Sequence, residues 1–323
     1  MKRSEFLRLC GGALLLTQLP KPLIAKVNAG AEAGNAAEGP SSLKDVRKIT
    51  INVGATKPFS ALHISDTHLT RVDERDNERK KRLSLGRQRV FPWAEHYFEL
   101  MVLHTGDLID FVSDANLDFV AMQLGVGDWF ASAGNHEYSQ YVGEAKEDAA
   151  YKAQSFDKVQ RAYPNDLKVA SRIINGVNFV ALDDVYYNVT AEQHELMRRE
   201  VEKGLPIVLL CHVPFYTPKH CADVLKGNNG LAGYVTGAPL EITRTYQTNP
   251  SLPADEQWRN RSVQQHSDEP TLEFIAWLKQ QPLLKAILCG HCHHFYEEQF
   301  SPTATQYIVG AGYNGAAYEV EFR

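Results

Sequence analysis

The sequence predicts an α/β protein in which helices cover a mixed sheet or a pair of sheets. Three observations carry that prediction. Short apolar runs recur along the chain, many of them ending in Asp, Asn or His. Helix-like stretches separate these runs up to about residue 210, and beyond it strands follow one another. A hydrophobic content of 44% and a charged content of 23% over 323 residues fit a soluble globular chain with a sizeable core. The formal net charge of -5 argues against a general nucleic-acid or lipid binder.

The elements follow in order. Ile49, Ile51 and Val53 alternate with polar residues, as in an edge or half-buried strand, and residues 59–64 form the next strand. Residues 71–89 hold eight basic and four acidic side chains, which read as a solvated face or as an electropositive lip steering an anionic substrate. Helices are expected at 91–98, 115–124 and 143–162, and strands at 100–104 and 129–133. Residues 168–172 and 177–182 make a hairpin turned by Asn175-Gly176. Thr190-Ala191-Glu192-Gln193 has the form of a capping box opening a helix. A strand covers 206–210. Residues 220–269 lack periodicity and read as a long functional segment. Pro270 opens a helix, residues 284–289 form a buried strand, and three strands close the chain.

The first residues differ from the rest. Lys2 and Arg3 precede a short apolar stretch, and Val27-Asn28-Ala29 offers small residues for cleavage, as in a secretory signal. The expected organisation is a signal peptide at 1–29, a flexible linker rich in Ala, Gly, Glu and Ser at 30–44, and one domain at 45–323. Residues 2–7 resemble a twin-arginine export signal with Ser4 in the second arginine's place. Cys10 follows Arg8-Leu9, a poor lipoprotein box, so no stable membrane anchor is expected after cleavage. The expected location is periplasmic or extracellular. Four cysteines would remain, too few for a disulfide scaffold.

The chemistry gathers at five strand ends. These are Ser65-Asp66-Thr67-His68, Gly106-Asp107, Gly134-Asn135-His136-Glu137, Cys211-His212 and Gly290-His291-Cys292-His293. Each motif alone is weak. Together they offer oxygen donors from Asp66, Asp107 and Asn135, and nitrogen donors from His68, His212, His291 and His293. Mixed oxygen and nitrogen donors suit Zn, Mn or Fe. Seven ligands exceed one tetrahedral ion and suit two ions if a carboxylate bridges them, an arrangement that clamps a phosphoryl group.

The ordered set of five motifs, spanning about residues 59–300, resembles the calcineurin-like metallophosphoesterase superfamily. The resemblance implies a four-layer αββα sandwich, two mixed β-sheets flanked by helices, around two divalent or transition metal ions. It implies that Asp66, His68 and His293 bind one ion, that Asn135, His212 and His291 bind the other, and that Asp107 bridges them. His136 would act on the substrate as proton donor or stabiliser of charge, Glu137 would orient it, and a metal-bound hydroxide would attack a small-molecule phosphoester. Asp110 is a candidate partner for a ligating histidine. Purple acid phosphatases carry Tyr three residues after the bridging Asp and Asp-x-Gly in the first motif. Asp110 and His68 occupy those places here, and the first motif is closer to the cyclic-nucleotide phosphodiesterase-like branch.

Two other readings compete with this one. A non-enzymatic binding protein would retain the metal fold and recognise a partner through 220–269. A thiol–disulfide oxidoreductase would use Cys289 and Cys292, whose Cys-Gly-His-Cys spells a redox tetrapeptide but lacks the preceding Trp and leaves the other motifs unexplained. His104 reads as a core or supporting histidine. His220, His266, His294, Tyr138, Tyr216 and Tyr313 are candidates for lining the pocket.

Overall fold

Period-two alternation divides the apolar residues of each strand between two faces, and the packing follows from that division. The computed structural model describes residues 43–71, 100–125, 127–142, 146–246 and 265–323. The expected signal peptide, the linker up to residue 42, the helix at 91–98 and nearly all of the basic segment lie outside the described residues.

The strands are β1 (Asp45–Ile51), β2 (Phe59–Ile64), β3 (Met101–Thr105), β4 (Trp129–Ser132), β5 (Val169–Ile174), β6 (Val177–Leu182), β7 (Ile207–Leu210), β8 (Leu284–Cys289), β9 (Tyr296–Ser301), β10 (Ala304–Ile308) and β11 (Ala316–Phe322). They form two mixed sheets, ordered β1-β11-β2-β3-β4 and β5-β6-β7-β8-β10-β9. The β5–β6 hairpin turns at Asn175 and Gly176, both with positive φ, as an Asn-Gly turn requires.

The helices are α1 (Asp114–Leu124), α2 (Ala149–Gln160), α3 (Ala191–Glu202), α4 (Pro218–Gly227), α5 (Leu240–Thr243) and α6 (Glu269–Leu278). Ala61, Leu103 and Phe130 of the first sheet meet Phe179, Leu210 and Leu288 of the second in a buried inner core. The opposite faces carry Leu62, Ile64 and Val102 against α1 and α2, and Val180, Leu209 and Ile287 against α3 and α6. These are the four αββα layers. Each buried Leu, Ile, Val or Phe side chain contributes about 1.5–3 kcal/mol to this arrangement.

Helix starts follow their caps. Thr190 and Gln193 form the reciprocal capping box of α3, and Asp268 caps α6 ahead of Pro270. α2 is shorter than the expected 143–162, because Asp148 accepts from the Tyr151 N–H and starts the helix there. The segment after residue 216 corrects the expectation of an irregular stretch in its first part: α4 starts from Thr217 with Pro218 in its first turn.

Strands β2, β3 and β4 run parallel, as do β6, β7 and β8. Their carboxyl ends therefore gather, and the five motif-bearing loops leave from them.

Candidate metal centre

The site begins with backbone that ordinary residues avoid. Asp66 (φ 53°), His68 (45°), Asp107 (54°), His291 (66°) and His293 (58°) all occupy the left-handed region. Asp, Asn and His tolerate it best, at about 1–3 kcal/mol each. Hydrogen bonds hold these conformations. Asp66 N donates to the Gly106 carbonyl at 3.0 Å, His68 N to the Asp107 carbonyl at 2.9 Å, and His291 N to Asp66 Oδ2 at 2.9 Å. The glycines permit close approach: a Cβ on Gly290 would overlap Ser65 Oγ, and one on Gly134 would overlap Asp107 Oδ1.

Two pairs of ring nitrogens face each other. His68 Nδ1 donates to Asp110 Oδ1 at 2.9 Å, which leaves a bare Nε2 directed at His293 Nε2, 3.3 Å away. His212 Nδ1 donates to the Thr105 carbonyl at 2.7 Å, which directs its Nε2 to His291 Nδ1 at 3.2 Å. Nitrogens about 2.0–2.1 Å from one tetrahedral ion lie about 3.3 Å apart, so each pair has the spacing of two ligands on a common ion. Asp66 Oδ1 joins the first pair, 3.1 Å from His293 Nε2 and 4.0 Å from His68 Nε2. Asp107 Oδ2 lies between the pairs, 3.3 Å from His212 Nε2 and 3.7 Å from His68 Nε2. The groups Asp66–His68–His293 and Asp107–His212–His291 each converge tightly enough to hold an ion. Asn135 Oδ1 is buried and has no hydrogen-bond partner among the described residues, the state expected of an amide oxygen reserved for a cation. The donor set therefore fits two borderline-soft divalent ions.

The charges agree with that fit. Burial would raise the Asp66 and Asp107 carboxyls, but His293 beside the first and His212 and His136 beside the second hold both below the usual carboxylate range. Burial lowers His68 and, aided by its neighbour His212, takes His291 down to about 3. Burial also lowers His212, but Asp107 and Asp66 outweigh it and lift this imidazole to about 10.

His136 and Glu137 separate into different roles. His136 Nδ1 donates to the Asp110 carbonyl at 2.7 Å and lies 3.3 Å from its carboxylate, while Nε2 is 4.0 Å from Asp107 Oδ2. Glu137, fully buried, accepts from the backbone N–H groups of Asp107, Leu108, Ile109 and Gly134 and from the Tyr163 hydroxyl, at 2.6–3.1 Å. Burial, then the Asp107 charge, pushes the Glu137 carboxyl up to about 7, and those donors oppose the rise. The expectation that Glu137 orients His136 is thus corrected. Asp110 orients the ring, and Glu137 fixes the loop that carries Asp107.

The family comparison agrees with the geometry. The model of the calcineurin-like phosphoesterase family matches residues 59–295. The chain belongs to that family. Solved structures similar to this phosphoesterase include a dimetal phosphatase from Danio rerio, at 14% identity and a TM-score of 0.45, covering 78% of this chain and 87% of that one. A putative 5'-nucleotidase from Staphylococcus aureus shares 14% identity at a TM-score of 0.38, covering 79% of this chain and 49% of its own. A phosphopantetheinyl hydrolase from Mycobacterium tuberculosis shares 12% at 0.38, covering 78% and 89%. No curated protein sequence matches the chain.

The site of this phosphoesterase opens into a cavity of about 660 Å³, lined by Asn135, His136, Tyr187, Tyr234, His291 and His293 among others. His294 and Tyr296 also line it, whereas His220 is buried beside Tyr296, and His266 is exposed elsewhere. Tyr138 and Tyr216 pack in apolar clusters. His104 is a buried support whose Nε2 meets Thr67 Oγ1 at 3.3 Å. Sequence reasoning missed Asp184, whose Oδ1 accepts from the N–H groups of His212 and Val213 at 3.2 Å and so holds the loop after β7. It missed Tyr187, whose only sequence signal is a place shortly after a buried strand.

The two cysteines of the redox tetrapeptide are free thiols that face other partners. Cys289 Sγ faces Cys211 Sγ at 3.5 Å in the outer core of the second sheet, and the Cys292 thiol faces the Tyr234 carbonyl at 3.8 Å. Burial pushes the Cys292 thiol well above its usual value, the reverse of an activated cysteine.

Proposed function

We propose that the protein is an exported dinuclear phosphoesterase that hydrolyses a phosphomonoester or phosphodiester of a small molecule. The observation that carries this reading is the convergence of Asp66, His68 and His293 in one group and of Asp107, His212 and His291 in another, with the buried Asn135 Oδ1, unpartnered among the described residues, beside the cavity lined by members of both groups. Two ions bound there would supply an activated water and neutralise charge on the attacking and leaving oxygens.

The chain's own residues do the rest. Asp107 presents Oδ2 between the two ligand groups while its Oδ1 accepts from the His136 N–H at 2.9 Å. That bond ties the bridge to the residue facing the substrate. His136, held by Asp110 through Nδ1, directs Nε2 into the site, where it donates to a phosphoryl or leaving-group oxygen. Asp110 serves both His68 and His136, so one buried carboxylate sets the distance between a ligand and the proton donor.

Hydrolysis of p-nitrophenyl phosphate and bis-p-nitrophenyl phosphate tests the reading. Chelator-sensitive turnover of at least one reagent is expected, and the preferred reagent assigns monoester or diester chemistry. Full activity in metal-free Asp107→Asn protein would contradict the mechanism. Export rests on the basic start and apolar stretch before Ala29. An N-terminus near residue 30 in the mature protein supports it, and an intact cytoplasmic Met1 opposes it.

A further inference from the structure

We propose that Tyr187 and Tyr313 are positioning residues that fix the tautomers of His291 and His293 and so control one metal site each, an inference that rests on the dinuclear reading above. The two histidines are one residue apart, yet they present different nitrogens to the centre. His291 turns Nδ1 towards His212, and its Nε2 meets the Tyr187 hydroxyl at 3.1 Å. His293 turns Nε2 towards His68 and Asp66, and its Nδ1 meets the Tyr313 hydroxyl at 3.2 Å.

An imidazole that gives one nitrogen's lone pair to a metal carries its proton on the other. Each tyrosine oxygen therefore accepts that ring proton. The remaining two ligand histidines donate instead to the Thr105 carbonyl and the Asp110 carboxylate. A neutral hydroxyl draws less on the proton than a carboxylate does. His291 and His293 are therefore less basic donors than His68, and each depends on its tyrosine to keep the metal-facing nitrogen free of the proton.

Both tyrosines are anchored through their own main chain, which separates positioning from chance contact. Tyr187 is nearly fully buried, and it and Tyr186 are consecutive left-handed residues at φ 65° and 59°. Its N–H donates to the Asp184 carbonyl at 3.0 Å, and its carbonyl accepts from Ser267 Oγ at 2.8 Å. Tyr313 lies in a short 3-10 turn, Gly312–Asn314, hung on the first motif. Gly312 N donates to the Ser65 carbonyl at 2.8 Å, and Tyr313 N to the Asp66 carbonyl at 3.0 Å. The same loop that places Asp66 thus places the partner of His293.

The test measures stepwise Zn²⁺ binding by competition with a chromophoric chelator, in full-length protein and in the Tyr187→Phe and Tyr313→Phe variants. Each variant removes one oxygen and keeps the ring. Each is expected to weaken one of the two binding steps by about 10–100-fold and to leave the other at the parent value. In a His212→Ala background, which retains the Asp66–His68–His293 group, Tyr313→Phe weakens the remaining ion and Tyr187→Phe does not. Metal-free melting temperatures equal to the parent's place the effect on the ligands rather than on the fold. Parent-like constants for both ions in both variants overturn the proposal while leaving the dinuclear reading intact. A loss spread equally over both steps overturns it too. Parent protein that binds no Zn²⁺ overturns the dinuclear reading itself, and the proposal with it.

Discussion

The two sheets contribute to the centre in different ways. The first sheet supplies the oxygen donors Asp66, Asp107 and Asn135, together with His68, from the ends of β2, β3 and β4. A buried acidic frame fixes that side: Glu137 gathers four backbone N–H groups, and Asp110 holds two imidazoles. The second sheet supplies only imidazoles, from the ends of β7 and β8. Neutral groups hold their rings, the Thr105 carbonyl for His212 and tyrosine hydroxyls for the other two. The first side is shielded, with Asp66 fully buried, while the His293 side chain is 32% exposed. The difference teaches that the carboxylates Asp66 and Asp107 lie in the buried depth of the site, while His291 and His293 stand at its partly exposed rim. His212 joins the halves, because a β3 carbonyl from the other sheet orients it.

The comparison breaks first at the bridge. Asp107→Asn removes the charge shared by both halves, so metal content and phosphoester turnover are both expected to fall to the detection limit; retention of two ions would detach Asp107 from the bridging role. Neighbours in the third motif sharpen the contrast between frame and chemistry. Glu137→Gln replaces an acceptor of five donors with an amide that must turn an N–H towards one of them. A stability loss of about 1–3 kcal/mol is expected in denaturant unfolding, the cost of leaving a buried donor unsatisfied. His136→Ala should fold and hold metal as the parent does, with kcat lower by about 10²–10⁴-fold. Equal stability losses in the two variants would erase the distinction.

A smaller effect lies between them. Asp110→Asn keeps the volume but weakens the acceptor for His68, and metal affinity should drop by about 10–100-fold. The smallest effect is a proton count. His212 in the metal-free site titrates at about 10 because Asp107 and Asp66 outweigh its burial. At pH 8 it therefore carries a proton that an incoming ion must displace. Metal affinity rises with pH up to that value, and calorimetry in buffers of different ionisation enthalpy should register about one proton released per chain. Release of none would mean that the imidazole is neutral before metal arrives.

Much of this was legible in the sequence, for a physical reason. Parallel strands gather their carboxyl ends at one edge, so apolar runs ending in Asp, Asn or His mark a site before any contact is known. The α3 capping box and the Asn175-Gly176 turn are equally local, and each formed where expected. What stayed hidden depends on distant backbone. The resemblance implied that Glu137 orients His136, yet three of its donors are the N–H groups of Asp107, Leu108 and Ile109, about thirty residues away, which no side-chain pattern encodes. Tyr187 meets His291 across 104 residues, and Asp184 meets backbone of the β7 loop in the same way. α4 was hidden for a simpler reason: its signal, Thr217-Pro218, lies just before the stretch read as irregular.

The central claim is that Asp107 joins two ions held by ligands from both sheets. Anomalous diffraction from crystals of the Zn²⁺- or Mn²⁺-loaded protein tests it most directly. Two peaks about 3.5–4 Å apart are expected, one among Asp66, His68 and His293 and the other among Asn135, His212 and His291, with Asp107 between them. A single peak, or ions bound away from Asp107, would contradict it.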